Sequence, residues 1–224
     1  MRQDLPGMIR SLGVDGCPGG WVAVELNDGS FAQAMVRSSF ADVLTAFPEA
    51  SAIAVDIPIG LPESGQRPAD RAAREFIGVR RSSVFPTPTR QLLETPWRSG
   101  LGITSQTHSL GPRILQVELA LNESAMADRI YEVHPEVSFA AMKGSPLAEP
   151  KTSWNGQQVR RRLLRATGIE LPDDLPSVGI VPADDLLDAA AAAWSANRIA
   201  AGKAVTLPSK PPAASRGRVV AIWY

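Results

Sequence analysis

Asn27-Asp28-Gly29 is the feature that narrows the fold most. It stands between two runs of strand-forming residues, "WVAVEL" (21–26) and "SFAQAMV" (30–36). This tripeptide tolerates the left-handed backbone of a tight hairpin, so the two runs are expected to pair antiparallel. A third run, "MIRSLGVD" (8–15), precedes them across the glycine-rich turn "GCPGG" (16–20). The chain should therefore open as a three-stranded antiparallel meander. "SSFADVLTAFPEA" (38–50) reads as a short amphipathic helix, capped by Ser38 or Ser39, with Phe40, Val43, Leu44 and Phe47 on one face. The buried strand in "SAIAVDIPIGLP" (51–62) ends at Asp56, because Pro58 and Pro62 cannot continue it. A helical crossover between the first and fourth strands implies that they run parallel, giving an α/β fold with a mixed sheet.

From Gly60 to Asp128 the pattern is mostly helix and loop. Pro68 suits a first helical position before "ADRAAREFI", "VFPTPTR" (84–90) is irregular, and "PRILQVELALNES" (112–124) is helical. A strand follows around Glu132, then a basic helix (155–168) closed by Gly168 and a long alanine-rich helix (182–202) closed by Gly202. The tail "SKPPAASRGRVVAIWY" begins as a flexible linker and finishes as an edge strand. No repeat or boundary divides the 224 residues, so 60–128 reads as a helical insertion into a single domain spanning 1–224.

Composition removes several function classes. Lysine and arginine balance aspartate and glutamate at 23 each, so no global field announces a nucleic-acid partner and any such binding rests on local patches. The single cysteine, Cys17, rules out an internal disulfide and a cysteine-rich zinc site and fits a reducing, cytoplasmic setting. No apolar run approaches the roughly 18 residues of a membrane span, and the start lacks the apolar core of a signal peptide.

The acids form the pattern that carries chemistry. Period two puts Ser11, Gly13 and Asp15 on one face, Ala52, Ala54 and Asp56 on one face, and Ile130, Glu132 and His134 on one face. The three acids thus sit alike near strand ends, and the carboxyl edge of a parallel sheet is where such folds bind ligands. On the last helix Asp185 and Asp188 are three apart and share a face. Each has a bland reading: Asp15 forms a turn, Asp56 is an exposed strand end, and Asp184 and Asp185 cap a helix. Asp188 lies past the capping turn. Carboxylates gathered within ~5 Å repel and raise one another's pKa. Magnesium or manganese relieves this through oxygen ligands, and two such ions can activate water against a phosphodiester.

Two basic stretches are hidden by the neutral total. Arg67, Arg71, Arg74, Arg80, Arg81 and Arg90 outnumber the acids of residues 67–90, and guanidinium forks suit phosphate oxygens. The run 151–165 holds Lys151, Arg160, Arg161, Arg162 and Arg165 without an acid; it too suits phosphate oxygens, but a solvated helix face is the preferred reading for 160–165. His134 is expected to be hydrogen-bonded at a strand end rather than to ligate metal or shuttle protons. Trp21 is expected in the core, whereas Trp97 and Trp154 are placed to stack a base only if exposed.

Together, "GVDGCPGGWVAV", "AVDIPIGLP", "RPADRAAREFIGVRRSSVFPTPTR", "YEVHPEVSFAAM" and "DDLLDAAAAAW" resemble the domain of unknown function 429 family, predicted ribonuclease H-like nucleases. The resemblance runs from about Gly13 to Gly202. It implies a ribonuclease H-like mixed sheet with flanking helices and a helical insertion. Asp15, Asp56 and Asp188 would then be both catalytic and metal-holding, with Asp185 as a further metal ligand and Glu132 as a catalytic residue within the family's own motif. The expected activity is hydrolysis of DNA or RNA phosphodiester bonds with Mg²⁺ or Mn²⁺ in a two-metal site, Arg67, Arg71, Arg74, Arg80 and Arg81 gripping the nucleic acid. The alternatives are a non-catalytic nucleic-acid or protein binding module, and a nucleotide- or phosphometabolite-handling enzyme that offers "DGCPGG" to a phosphate.

Overall fold

The computed structural model describes residues 7–100, 103–212 and 218–224. Its centre is a five-stranded mixed sheet. Strands β1 (Arg10–Cys17), β2 (Gly20–Asn27) and β3 (Ser30–Arg37) form the expected antiparallel meander. The turn between β2 and β3 has Asp28 at φ 49° and Gly29 at φ 84°, the left-handed pair that the Asn-Asp-Gly signal requires.

Helix α1 (Phe40–Ala46) follows. Ser39 caps it by accepting the Asp42 N–H while donating its hydroxyl to the Asp42 carboxylate. The crossover delivers β4 (Ala52–Val55) parallel to β1, and β5 (Ile130–Glu132) adds parallel to β4. The sheet order is β3-β2-β1-β4-β5. This order and polarity are consistent with the ribonuclease H-like arrangement.

Between β4 and β5 run α2 (Pro68–Ile77), a 3₁₀ segment Gly78–Ser83, α3 (Arg90–Glu94), α4 (Ser105–Ser109) and α5 (Gly111–Glu123). After β5 come α6 (Pro135–Lys143), α7 (Trp154–Ala166) and α8 (Ala183–Ala200). Helix α6 is an addition to the sequence reading, which placed no helix there; His134 caps it and Pro135 occupies its first turn. Two short strands, β6 (Thr206–Leu207) and β7 (Ile222–Trp223), pair antiparallel, and Trp223 also bridges Val133 beyond β5, so the tail does finish beside the sheet edge. The linker expectation for the tail falls partly on residues 213–217, outside the described residues. Among the described residues no helix is long and apolar enough to cross a membrane.

Both sheet faces are covered. On one, Leu12 and Val14 of β1 and Ile53 and Val55 of β4 pack with Phe40, Val43 and Phe47 and with Ile114 and Val117 of α5. Trp21 lies in this layer, its indole N–H donating to Gln116 Oε1. On the other face α8 lies along β1, β2 and β4, with Ala189–Ala193 fully buried against it. A β-carbon built on Gly13 would sit 2.0 Å from the Ala193 nitrogen and 2.1 Å from the Ala189 carbonyl oxygen. Glycine on the strand and alanines on the helix thus bring backbone against backbone, and the register of α8 over β1 is fixed.

Candidate functional site

That register sets Asp188, near the start of α8, over the carboxyl end of β1. Asp15 is the sixth residue of β1, and the Asp56 amide donates to the Val14 carbonyl at 3.1 Å, which extends the parallel pairing past β4. Ligand oxygens of Asp15, Asp56 and Asp188 all lie within 4.8 Å of one another. At an effective dielectric near 20, two unit charges at such a separation repel by about 3 kcal/mol.

The acids respond accordingly. Burial, then Asp56 and Asp188, hold the Asp15 carboxyl well above its ordinary value. Burial raises Asp56 too, against the pull of His134 and Lys151. Burial pushes Asp188 up to about 7 although Lys151 Nζ donates to its Oδ2 at 2.6 Å. The ammonium therefore only partly offsets the cost of burying the charge. Asp185 lines the same cavity and is raised by burial and by Asp184.

The donor set consists of carboxylate oxygens and sits where three charges repel, which fits a hard divalent cation such as Mg²⁺ or Mn²⁺. His134 is engaged elsewhere: its Nδ1 lies 3.3 Å from the Glu136 N–H that it accepts, and its Nε2 is 3.2 Å from the Ser83 carbonyl. Both ring nitrogens are taken up by these contacts and neither is free as a ligand, in keeping with the strand-end reading.

Glu132 stands apart from the three aspartates. It pairs across the parallel ladder with Val55, and Ile130 and Val55 belong to the α1/α5 layer, whereas Ala52 and Ala54 face α8. The expectation that Glu132 sits like Asp15 and Asp56 is thus corrected: its side chain emerges on the other face of the sheet. There its two oxygens meet Arg67, Oε1 with Nη2 at 2.6 Å and Oε2 with Nη1 at 2.8 Å, and Oε2 also accepts the Ile59 N–H at 2.7 Å. Asp70 accepts from Arg67 Nε and Nη2, and the Ile59 carbonyl accepts from Nη1.

The remaining arginines scatter. Arg71 and Arg81 are exposed, and Arg74 donates to the Val84 carbonyl. Arg80 lies 3.6 Å from Glu136 and lines the cavity. Of the five arginines singled out for substrate, Arg67 and Arg80 line the cavity that holds the carboxylates, and Arg67 is saturated by its buried partners.

That cavity has a volume of about 540 Å³. The three aspartates and Asp185 line it, and Glu132 reaches it from the other sheet face; Arg80, Arg113 and Lys151 line it too, along with Ser82, Ser83, Thr87 and Ser109. Arg113 had no role in the sequence reading, and Lys151 entered it only as part of the basic run 151–165. Arg113 reaches in from α5, donates to the Cys17 carbonyl at 2.6 Å and stacks over Trp21. Gly16 gives it room, since a β-carbon there would lie 2.6 Å from its Nε. The "DGCPGG" turn is a two-residue hairpin whose flanks, Gly16 with Trp21 and Cys17 with Gly20, pair in the ladder. Trp97 and Trp154 are exposed but line none of this cavity.

The protein family described as a protein of unknown function, DUF429, matches residues 13–213. That span contains each of the site residues above. Comparison with curated proteins gave no match, nor did comparison with solved structures.

Proposed function

The chain belongs to the DUF429 family of proteins of unknown function, and on that premise we propose that it is a nuclease that hydrolyses phosphodiester bonds of DNA or RNA with a carboxylate-held divalent cation. The observation that carries this reading is the meeting of Asp15, Asp56 and Asp188 within 4.8 Å at the carboxyl edge of the sheet. Those three residues would hold Mg²⁺ or Mn²⁺, with Asp185 available to a second ion. A cation bound there supplies charge to activate a water and to stabilise the leaving oxygen of the phosphodiester.

The chain's own residues do the rest. Arg113 and Arg80 present guanidinium groups to phosphate oxygens beside the carboxylates. The segment 80–87 and helix α4 line the cavity with hydroxyl and amide side chains that orient a nucleotide. The cavity's size suits a single nucleotide unit, so an unpaired strand or strand end is the substrate form that reaches the acids.

The test is incubation of the purified protein with Mg²⁺ or Mn²⁺ and a panel of single-stranded, duplex and branched DNA and RNA. Cleavage that disappears in Asp15→Asn supports the reading, and no cleavage of any substrate by the wild type defeats it. The Lys151–Asp188 ion pair supports a second reading, a fold-retaining binding module whose lysine replaces the metal. Absence of Mn²⁺ binding by calorimetry, with nucleic-acid or protein binding unchanged in Asp15→Asn, would favour it.

A further inference from the structure

Lys151 is the described cation that meets the three-carboxylate cluster, 2.6 Å from Asp188 and 3.6 Å from Asp184. Burial alone would lower its basicity, but Asp188, Asp15 and Asp56 outweigh that and raise it. We propose that Lys151 is a resident counter-ion that gives up Asp188 when a divalent cation enters, and that its ammonium then turns to the substrate phosphate. The inference rests on the nuclease reading above.

Three features support it. A lysine ammonium and a divalent cation cannot share a carboxylate cluster this tight without strong mutual repulsion, because their charges add on the same few oxygens. The backbone on either side of Lys151 is clamped. Arg160 donates to the Glu149 carbonyl, Ser153 donates to the Pro150 carbonyl through both its N–H and its hydroxyl, and a β-carbon on Gly156 would lie 1.8 Å from that same oxygen. Motion is therefore left to the side chain, which is long, rotatable and 36% exposed. Finally, its destination adjoins its origin: Lys151 lines the same cavity as Arg113 and Arg80, so an ammonium released from Asp188 joins two guanidinium groups around one phosphate.

The swap is tested by titrating Mn²⁺ into wild type and Lys151→Met by calorimetry, and then measuring a short single-stranded oligonucleotide bound with Ca²⁺ in place of the active ion. Loss of a competing cation tightens Mn²⁺ binding at least about 5-fold, while oligonucleotide affinity falls. A lysine that merely supports the fold would weaken both. If wild type binds Mn²⁺ and the variant binds it equally or more weakly, the swap is overturned and the nuclease reading stands; if wild type binds no Mn²⁺, both fall. Unchanged oligonucleotide affinity overturns the phosphate half. Amine labelling of Lys151 in the wild type, read by mass spectrometry, needs no variant. Mn²⁺ should speed the labelling, and labelling that is unchanged or slowed by Mn²⁺ overturns the release of Lys151.

Discussion

Gly13 of β1 lies against the backbone of Ala193 in α8, so near that a β-carbon at Gly13 would come within 2.0 Å of the Ala193 nitrogen. This contact decides how close Asp188 comes to Asp15, because both acids ride on the two elements it joins. Gly13→Val is expected to lift α8 from the sheet and destabilise the protein by about 3 kcal/mol, as overpacked sites do. Urea unfolding measures the loss, and Mn²⁺ affinity of the remaining folded protein should fall with it. A folded Gly13→Val with unchanged metal affinity would show that the helix register does not set the site.

Asp15→Asn should separate stability from activity. The native charge at Asp15 is disfavoured by burial, Asp56 and Asp188, so removing it in metal-free protein stabilises the fold by about 1 kcal/mol, as relief of a strained functional site does. Cleavage should fall by at least the roughly 10–100-fold that loss of an outer-shell metal partner costs. Thermal melting without metal and a nuclease assay with Mn²⁺ check the two halves. A lowered melting temperature would mean that Asp15 is a structural acid.

How much of this was legible in the sequence depends on how much each element repeats itself. The β1–β3 meander alternates over eight-residue strands and carries its own turn signal, so its pairing could be read directly. Asp15 and Asp56 followed, because a parallel neighbour with a known end places its last residue. Glu132 did not. Strand β5 has three residues and is covered on both sides, Ile130 packing in one layer and Tyr131 in the other, so period two marks two faces without saying which one looks toward α8. Its partner Arg67 is sixty-five residues away in sequence, and no local spacing announces such a pair. The contact of Lys151 with Asp188 and the place of Arg113 in the cavity were not legible for related reasons. Lys151 sits in a loop without periodicity, and Arg113 depends on where α5 crosses the sheet.

The Arg67 network gives a prediction that distinguishes scaffold from substrate contact. Arg67 is buried between Glu132 and Asp70, and Arg67→Met leaves both carboxylates without their cation. Breaking a buried pair in this way costs about 3–5 kcal/mol. Chemical denaturation should show that loss. Arg113→Gln, by contrast, gives up one part-buried hydrogen bond and should cost only about 1 kcal/mol, and should raise KM for cleavage. An Arg67→Met protein as stable as wild type would return Arg67 to the substrate-binding set.

The raised carboxyl groups dictate how stability and metal binding change with pH. Asp188 titrates at about 7 in the fold against an ordinary 3.8. Between those values the native state holds a proton that the unfolded chain has released, so this group's contribution to stability falls as pH rises through that window and levels off above about 7. Asp15 and Asp56, raised by burial, act in the same direction. A divalent cation competes with those protons and binds the deprotonated set, so its stabilising effect should be small near about pH 5 and large near about pH 8. Melting curves with and without Mn²⁺ at the two pH values measure this. The metal-free protein should lose stability on going to the higher pH, and Mn²⁺ should restore it there. An Mn²⁺ effect equal at both values would mean that the cation binds elsewhere, and one confined to the lower pH would contradict proton competition at the aspartates.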